Sequence, residues 1–530
     1  MAPRLQGVLT PDGVLEISVW GSGEAGWLRV RGLAGPLVVA PNRIETADGA
    51  AGLYVAQSAP VIAIRGLRVE RARPSGHGGF RVEPRGADTL VAAGADAAEA
   101  AAALPLDVAS VVQEAAAHVA RCDLMPDADP LLRSLVMHGA HASLSSARRD
   151  ERGRFAGLAA GLIYSNPPRT YFRDGYWTLQ LLLRLAPELV AAEIDLLAAG
   201  VRPDGEAPSA VILQGPGAEA FEQRRLARPG LAATNKRPRE WWSDHFDSPL
   251  FFVLMVADYA RTTGDDALAR RHWPRLAAIL HRYQALRGPE GLPVKPHHER
   301  DWADNVTRPG LVAYDIGLWI GALDAIARLG ARIDPPLAAA AREVVVAARR
   351  AADAALWRRN RYADYVRPDG WAETHLALDA LMLLRFGAAP EDRALGVLKE
   401  CRAALESRHN PDQRYGDFGM LSVWPPFADR GAVRAKSAFA YRYHNGGDWP
   451  WLDAIYAAER LKRGLPGWRY PLTRWWEICL EHGWAGPVEH YSVPFGRGSL
   501  LQGWSSLPAE VVLEFADRVL AGDPERERVG

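Results

Sequence analysis

The chain has few cysteines, no net charge and no long apolar run, and each shortage removes a class of protein. Its three cysteines, Cys122, Cys401 and Cys479, are too scattered for a disulfide framework or a metal-ligand pattern. They read as reduced, packed thiols. Acidic and basic residues number 63 each, so no broad field is available to hold nucleic acid or an anionic membrane. A neutral ligand fits this balance better. No stretch approaches the roughly 18 consecutive apolar residues of a spanning helix. Residues 1–13 hold no apolar core of a secretory signal, and a cytoplasmic protein is expected. No phosphate loop, Gly-x-Ser-x-Gly elbow or Cys–His signature stands in a convincing context.

What is present is a change of period. At 530 residues one ordinary core does not suffice, so a large domain and a smaller one are expected. Residues 13 to about 86 alternate as strands do, in Val14–Trp20, Trp27–Arg31 and Val61–Arg65, with Gly-, Pro- and Asn-rich turns between. This predicts an antiparallel, β-sandwich-like domain over residues 1–100. Ala92–Ala103 reads as a linker or connecting helix. From Val108 the apolar period becomes 3.6. Helices are predicted at Leu131–Ser146, Tyr176–Leu185, Pro187–Ala199, Pro249–Thr263, Ala267–Leu286 and Leu311–Leu329. Further ones follow at Pro336–Trp357, Thr374–Phe386, Pro390–Ser407, Pro450–Arg463, Leu472–His482 and Ser506–Leu520. About a dozen helices in hairpin pairs, with no fixed-period repeat, point to a closed ring rather than a solenoid. The fold class predicted is mainly α, with an (α/α)6 barrel over residues 101–530.

Six polar, mostly Trp-bearing loops run into alternate helices of this set. They are Arg173–Trp177, His245–Ser248, Asp301–Asn305, Gly370–His375, Tyr443–Trp449 and Gln502–Ser505. If alternate helices run parallel, all six loops meet on one side. Carboxylates and indoles gathered there suit a sugar pocket. An acid in Asp301-Trp302-Ala303-Asp304-Asn305 would sit between apolar walls and beside a second acid, and both raise a carboxyl pKa. The residues leave open whether Asp301 or Asp304 is the proton donor. Glu489, in a Gly-rich aromatic segment, suits a base that holds a water. Arg173 and Asp174 can grip adjacent hydroxyls, the Arg donating and the Asp accepting. His444, Asn445 and Trp449 share one turn with a Gly pair that lets backbone approach a ligand. No second His or carboxylate lies at metal-ligand spacing, so neither metal nor cofactor is expected. Trp177, Trp242, Trp302, Trp371 and Trp504 are candidate sugar platforms, joined by Asp247 and Glu373.

These motifs resemble known enzymes over roughly Tyr171 to Ala516. Asp301 to Gly321 is similar to the segment of the amylo-α-1,6-glucosidase (glycogen debranching) family in which a Trp-x-Asp loop precedes an Arg-Pro-Gly turn and an inner helix. Asp304-Asn305 resembles the Asp-Asn of the processing α-glucosidase (mannosyl-oligosaccharide glucosidase) family. Tyr443-His444-Asn445-Gly446 with Trp449-Pro450-Trp451 resembles the debranching family and the alkaline invertases. Glu489 to Ser506 looks like the segment that carries the base in the first two families. The resemblance implies an inverting glycoside hydrolase on an (α/α)6 barrel, with Asp304 as general acid and Glu489 as general base. It implies Arg173, Asp174 and Asp247 at the non-reducing-end sugar. Inversion would need the two carboxyl groups roughly 6.5–9.5 Å apart. The expected substrate is an α-linked glucoside or related oligosaccharide, attacked from its end. Two other classes fit the same fold. One is a sugar isomerase or epimerase using histidines such as His297, His298, His375 and His444, and the other is a non-catalytic glycan-binding protein.

Overall fold

The computed structural model describes residues 113–148, 154–161, 169–212, 245–484 and 486–525 in full. For the strands between residues 5 and 94, and for residues 108–112, 149 and 240–241, it describes the backbone path. The expected platform Trp242, and the part of Ala92–Ala103 beyond Gly94, lie outside the described residues. The chain divides into two compact units. One comprises Met1–Cys122, Arg148–Ala156 and Ser165–Pro167, and the other holds the remainder.

In the first unit ten strands form two antiparallel sheets, of six and four strands. Leu5–Leu9, Val14–Trp20 and Ala25–Arg31 pair in succession. Val61–Arg65 pairs with Ala51–Tyr54 on one side and Leu90–Gly94 on the other. The helix Val108–Cys122 completes this unit.

The second unit is a closed ring of inner helices, as the 3.6 period requires. Phe172–Leu185 packs on Ser248–Thr263, which packs on Ala313–Leu329. The ring continues through the short Met382–Arg385, Pro450–Lys462 and Leu507–Glu514, which returns to Phe172–Leu185. These helices are apolar nearly all round, because each is enclosed by its neighbours. Ala313–Leu329 leaves only Asp324 and Arg328 less than fully buried. The outer helices show one buried stripe instead. In Pro335–Leu356 it is Ala338, Ala341, Val345, Ala348, Ala352 and Leu356, at three-, four- and seven-residue spacings. This is the (α/α)6 barrel.

Three elements differ from the sequence reading. The helix expected over Ser506–Leu520 is broken at Phe515 into Leu507–Glu514 and Ala516–Leu520. The segment Thr374–Phe386 is not one helix. Leu376–Ala377 pairs with Val423–Trp424, a 3-10 turn covers Leu378–Leu381, and one α-turn remains at Met382–Arg385. Strand pairing here overrides the helical propensity of a Leu-rich run. The helix after Arg173 begins at Phe172, so Arg173 and Asp174 stand in its first turn rather than in a loop. The strand Arg169–Tyr171 feeds directly into it.

Candidate active site

Acids cluster where the inner helices begin. Asp174, Asp315, Asp379 and Asp453 stand in first turns, and Asp247 precedes Ser248–Thr263. A helix N-terminus favours a carboxylate there, so helix geometry and charge agree.

The loop 301–310 is built on a buried ion network. Asp301 accepts from Lys295, from both sides of the Arg308 guanidinium at 2.6 and 3.2 Å, and from the Ala303 N–H at 2.8 Å. Burial alone would raise its pKa, but Arg308 and Lys295 outweigh it and hold the carboxyl far below the usual range. Arg308 also binds Asp364 and Asp379, each at 2.7 Å. The Trp302 indole donates to Asp379 at 2.5 Å, and His375 bonds Asp364 at 2.9 Å. Asp301, expected at the sugar, therefore has both oxygens taken by protein donors. Glu373 is likewise buried and accepts from the Ala428 N–H at 3.0 Å.

Asp304 leaves the same loop differently. Its backbone carbonyl accepts from Arg300 at 3.3 Å and Arg434 at 2.9 Å, which fixes the main chain. Its carboxyl Oδ1 has no hydrogen-bond donor among the described residues, and the nearest ring nitrogen, His444 Nδ1, is 3.9 Å away. The side chain keeps 21% of its surface exposed, so a ligand can reach it. Burial raises its pKa against the pull of Arg173, His245, Arg434 and Arg300. His444 is buried and held neutral, well below its ordinary pKa, first by burial and then by Arg308 and Arg173. It stacks on Trp449 at 5.1 Å and 15°.

Glu489 sits on a hairpin whose other side closes over it. Its N–H bonds the Ser499 carbonyl at 2.8 Å, and its Oε2 accepts from the Ser499 N–H at 3.0 Å. Gly498 is required there, because a Cβ would overlap the Glu489 carboxylate and Cβ. The Tyr443 ring lies 4.1 Å from that of His444 and 4.9 Å from that of His490. Burial drives its phenol pKa up, and the charges of Glu489 and Asp304, then Arg173 and Asp174, all act on it. Its φ of 55° is left-handed, a conformation that costs on the order of 1 kcal/mol for a non-glycine residue. Gly447 fits beneath, where a Cβ would come 2.7 Å from the Tyr443 carbonyl oxygen.

Beside these acids Arg173 donates to Asp247 at 2.7 Å, and the Tyr314 hydroxyl donates to the same oxygen at 3.0 Å. Gln502 donates to Asp174 at 3.1 Å. Burial pushes Asp174 up to about 7, against Arg173 and with the added charge of Glu489. Asn445 is fully buried and ties the turn together, donating to the Ser437 carbonyl and accepting from the Phe427 N–H.

The loop indoles expected as platforms pack on one another: Trp302, Trp449 and Trp504 are buried, at most 5% exposed. Trp302 meets Trp449 and Trp451 edge-on at 5.3 and 5.4 Å, and Trp449 meets Trp504 at 5.7 Å. Trp177, expected as a sugar platform, has no exposed surface and stacks on Trp451 at 5.2 Å. It belongs to the core. Trp371 is half-buried under the Arg367 guanidinium. Sequence reading missed Lys295, Tyr314, Asp364 and Asp379, which carry no local motif. It also left Tyr443 and Gln502 out of the site although both lie in the six loops. Of the histidines considered for isomerisation, His297 and His298 are exposed, and His375 is taken by Asp364.

Among the described residues no group of three or more His, Cys, Asp or Glu could hold a metal ion. No described helix is long and apolar enough to cross a membrane. The C-terminal ends of the inner helices surround a separate cavity of about 1160 Å³ with ion pairs such as Arg184–Glu510 and Arg328–Asp324 around it.

No sequence-family model and no curated protein matches the chain. Solved structures do. A bacterial glucoamylase complexed with acarbose superposes with a TM-score of 0.61 at 10% identity, over 96% of this chain and 81% of that one. A rhamnosidase from Klebsiella oxytoca with rhamnose bound gives 0.55 at 15% identity, over 97% and 96%. A mannosylglycerate hydrolase from Thermus thermophilus in complex with glucose gives 0.54 at 15% identity, over 72% and 99%. At such identity the likeness is one of fold: the chain has the six-hairpin glycosidase fold.

Proposed function

We propose that the chain is an exo-acting, inverting glycoside hydrolase for an α-linked glucoside or a close relative. Asp304 protonates the glycosidic oxygen as the bond to the anomeric carbon breaks. Glu489 takes a proton from the water that attacks that carbon from the opposite face. The observation that carries this reading is the unequal treatment of two acids. Asp304 is reachable and raised in pKa and its Oδ1 has no donor among the described residues, while the Glu489 carboxylate accepts from the Ser499 N–H. Asp301, held ionised by Arg308 and Lys295, is the wrong neighbour to donate a proton. Arg173, Asp174 and Asp247 would bind the terminal sugar's hydroxyls. No metal or organic cofactor enters these steps. Structural neighbours complexed with glucose, rhamnose and acarbose lend support at the level of substrate class.

The test is Asp304→Asn and Glu489→Gln assayed on an α- and β-glycoside panel with thermal unfolding in parallel. Each should lower kcat by roughly 10²–10⁴-fold with the fold intact. Full activity in either variant refutes the assignment.

A further inference from the structure

The loop that bears Asp304 is paired with a cationic segment. Val306 and Val433 form an antiparallel bridge, the Thr307 N–H bonds the Ala432 carbonyl at 2.9 Å, and the Arg434 N–H bonds the Asn305 carbonyl at 3.1 Å. Residues 430–442 carry Arg430, Arg434, Lys436 and Arg442 and no acid. Arg434 and Lys436 are exposed, and Arg442 is half-buried. Among the described residues, no carboxylate is at ion-pair distance from Arg434, Lys436 or Arg442. Some exposed arginines elsewhere are matched, as in Arg133–Asp123 and Arg332–Asp266, and others, such as Arg287 and Arg359, are exposed without a carboxylate partner among the described residues. What sets this segment apart is four cations and no acid in 13 residues, with Arg434 bonded to the Asp304 carbonyl.

Aromatic surface accompanies them. Phe439 and Phe495 are 55% and 46% exposed, with ring centroids 6.0 Å apart. The Arg442 guanidinium lies 4.8 Å from the Phe495 centroid, and Lys436 Nζ lies 4.8 Å from the Tyr443 centroid. The field of these cations enters the site: burial, then Lys436 and Arg442, push His490 down to about 3. Two exposed phenyl rings around a cation form a contact surface for a ligand with an apolar face and a negative group.

We propose that the leaving-group side of this site takes an anionic aglycone, a unit bearing a carboxylate or an equivalent oxyanion. This rests on the reading of Asp304 as the general acid. An acid touches the glycosidic oxygen, and the Arg434 guanidinium is bonded at 2.9 Å to the carbonyl of that acid's own residue, which puts a cation near the leaving group. Arg434 and Lys436 would hold the anion, and Phe439 with Phe495 would cover the apolar face. The bound anion would also offset the pull of Arg434 on Asp304, which keeps the acid protonated in the complex.

The experiment uses the full chain and an Arg434→Gln/Lys436→Gln variant. Gluconate and sorbitol, matched polyols that differ in a carboxylate, are titrated by tryptophan fluorescence. In parallel, 4-nitrophenyl glycosides with and without a carboxylate meta to the glycosidic oxygen are compared, on α-glucoside, α-mannoside and α-rhamnoside. Gluconate should bind more tightly than sorbitol, and the carboxylated glycoside should show about tenfold higher kcat/KM. Both preferences should vanish in the variant and weaken in high salt. Equal behaviour of the matched pairs, or a preference that survives in the variant, overturns the proposal. A gluconate preference that the variant loses, with no glycoside cleaved, upholds the anion subsite and removes the hydrolase reading.

Discussion

Buried carboxyl groups near the site are treated one by one. Asp448 and Asp453 are both buried and raise each other's cost of ionising, with Asp448 accepting from the Met420 N–H at 2.9 Å. Burial pushes Asp448 up to about 7 and Asp453 well above its usual range. A carboxyl raised in the folded state binds its proton more tightly there than in the unfolded chain. Its contribution is therefore complete below the unfolded pKa of about 3.9 and is lost as pH rises through about 7. Asp448→Asn keeps an acceptor for Met420 and removes the titration. Urea unfolding of the wild type should lose roughly 1–4 kcal/mol between pH 5 and pH 8 relative to this variant. Parallel profiles for the two proteins would contradict a raised Asp448 pKa. Gly498→Ala addresses Glu489 in the same way. A methyl there presses on the carboxylate, so kcat should fall roughly 10–100-fold with little change in unfolding temperature. Unchanged kcat would mean that Glu489 has room to move.

The loops owe their shape to partners far away in sequence. Arg308 holds Asp301, Asp364 and Asp379 in one buried network and thereby joins the third loop to the fourth inner element. Replacing it by Gln strands buried carboxylates, so Arg308→Gln should cost about 3–5 kcal/mol by urea unfolding. A loss below about 1 kcal/mol would show that the network is not a structural anchor. This network also marks how far the sequence was readable. The Arg308-Pro309-Gly310 turn was visible, but Lys295, Asp364 and Asp379 are ordinary residues until the fold gathers them. Helices such as Pro187–Ala198 and Pro450–Lys462 were legible within a residue because an apolar helical period and a proline start coincide. Thr374–Phe386 was misread because its partner Val423–Trp424 lies too far along the chain to leave a local sign.

At the scale of the molecule, the ring of inner helices places their N-terminal loops in one network. Asp247 meets Arg173, Asp174 meets Gln502, Asp304 lies beside His444, and Trp302 meets Trp449. The alternation of loop and helix announced this convergence. It did not announce which indoles face a ligand, because a tryptophan that packs and one that binds have the same spacing, and Trp177 proved to be core. The account turns on Asp304 and Glu489 acting on opposite faces of one sugar. The most direct measurement is the anomer first released from a cleaved α-glycoside, followed by proton NMR before mutarotation. The β-anomer is the predicted product. Release of the α-anomer would mean a retaining reaction and would contradict the proposed roles of both acids.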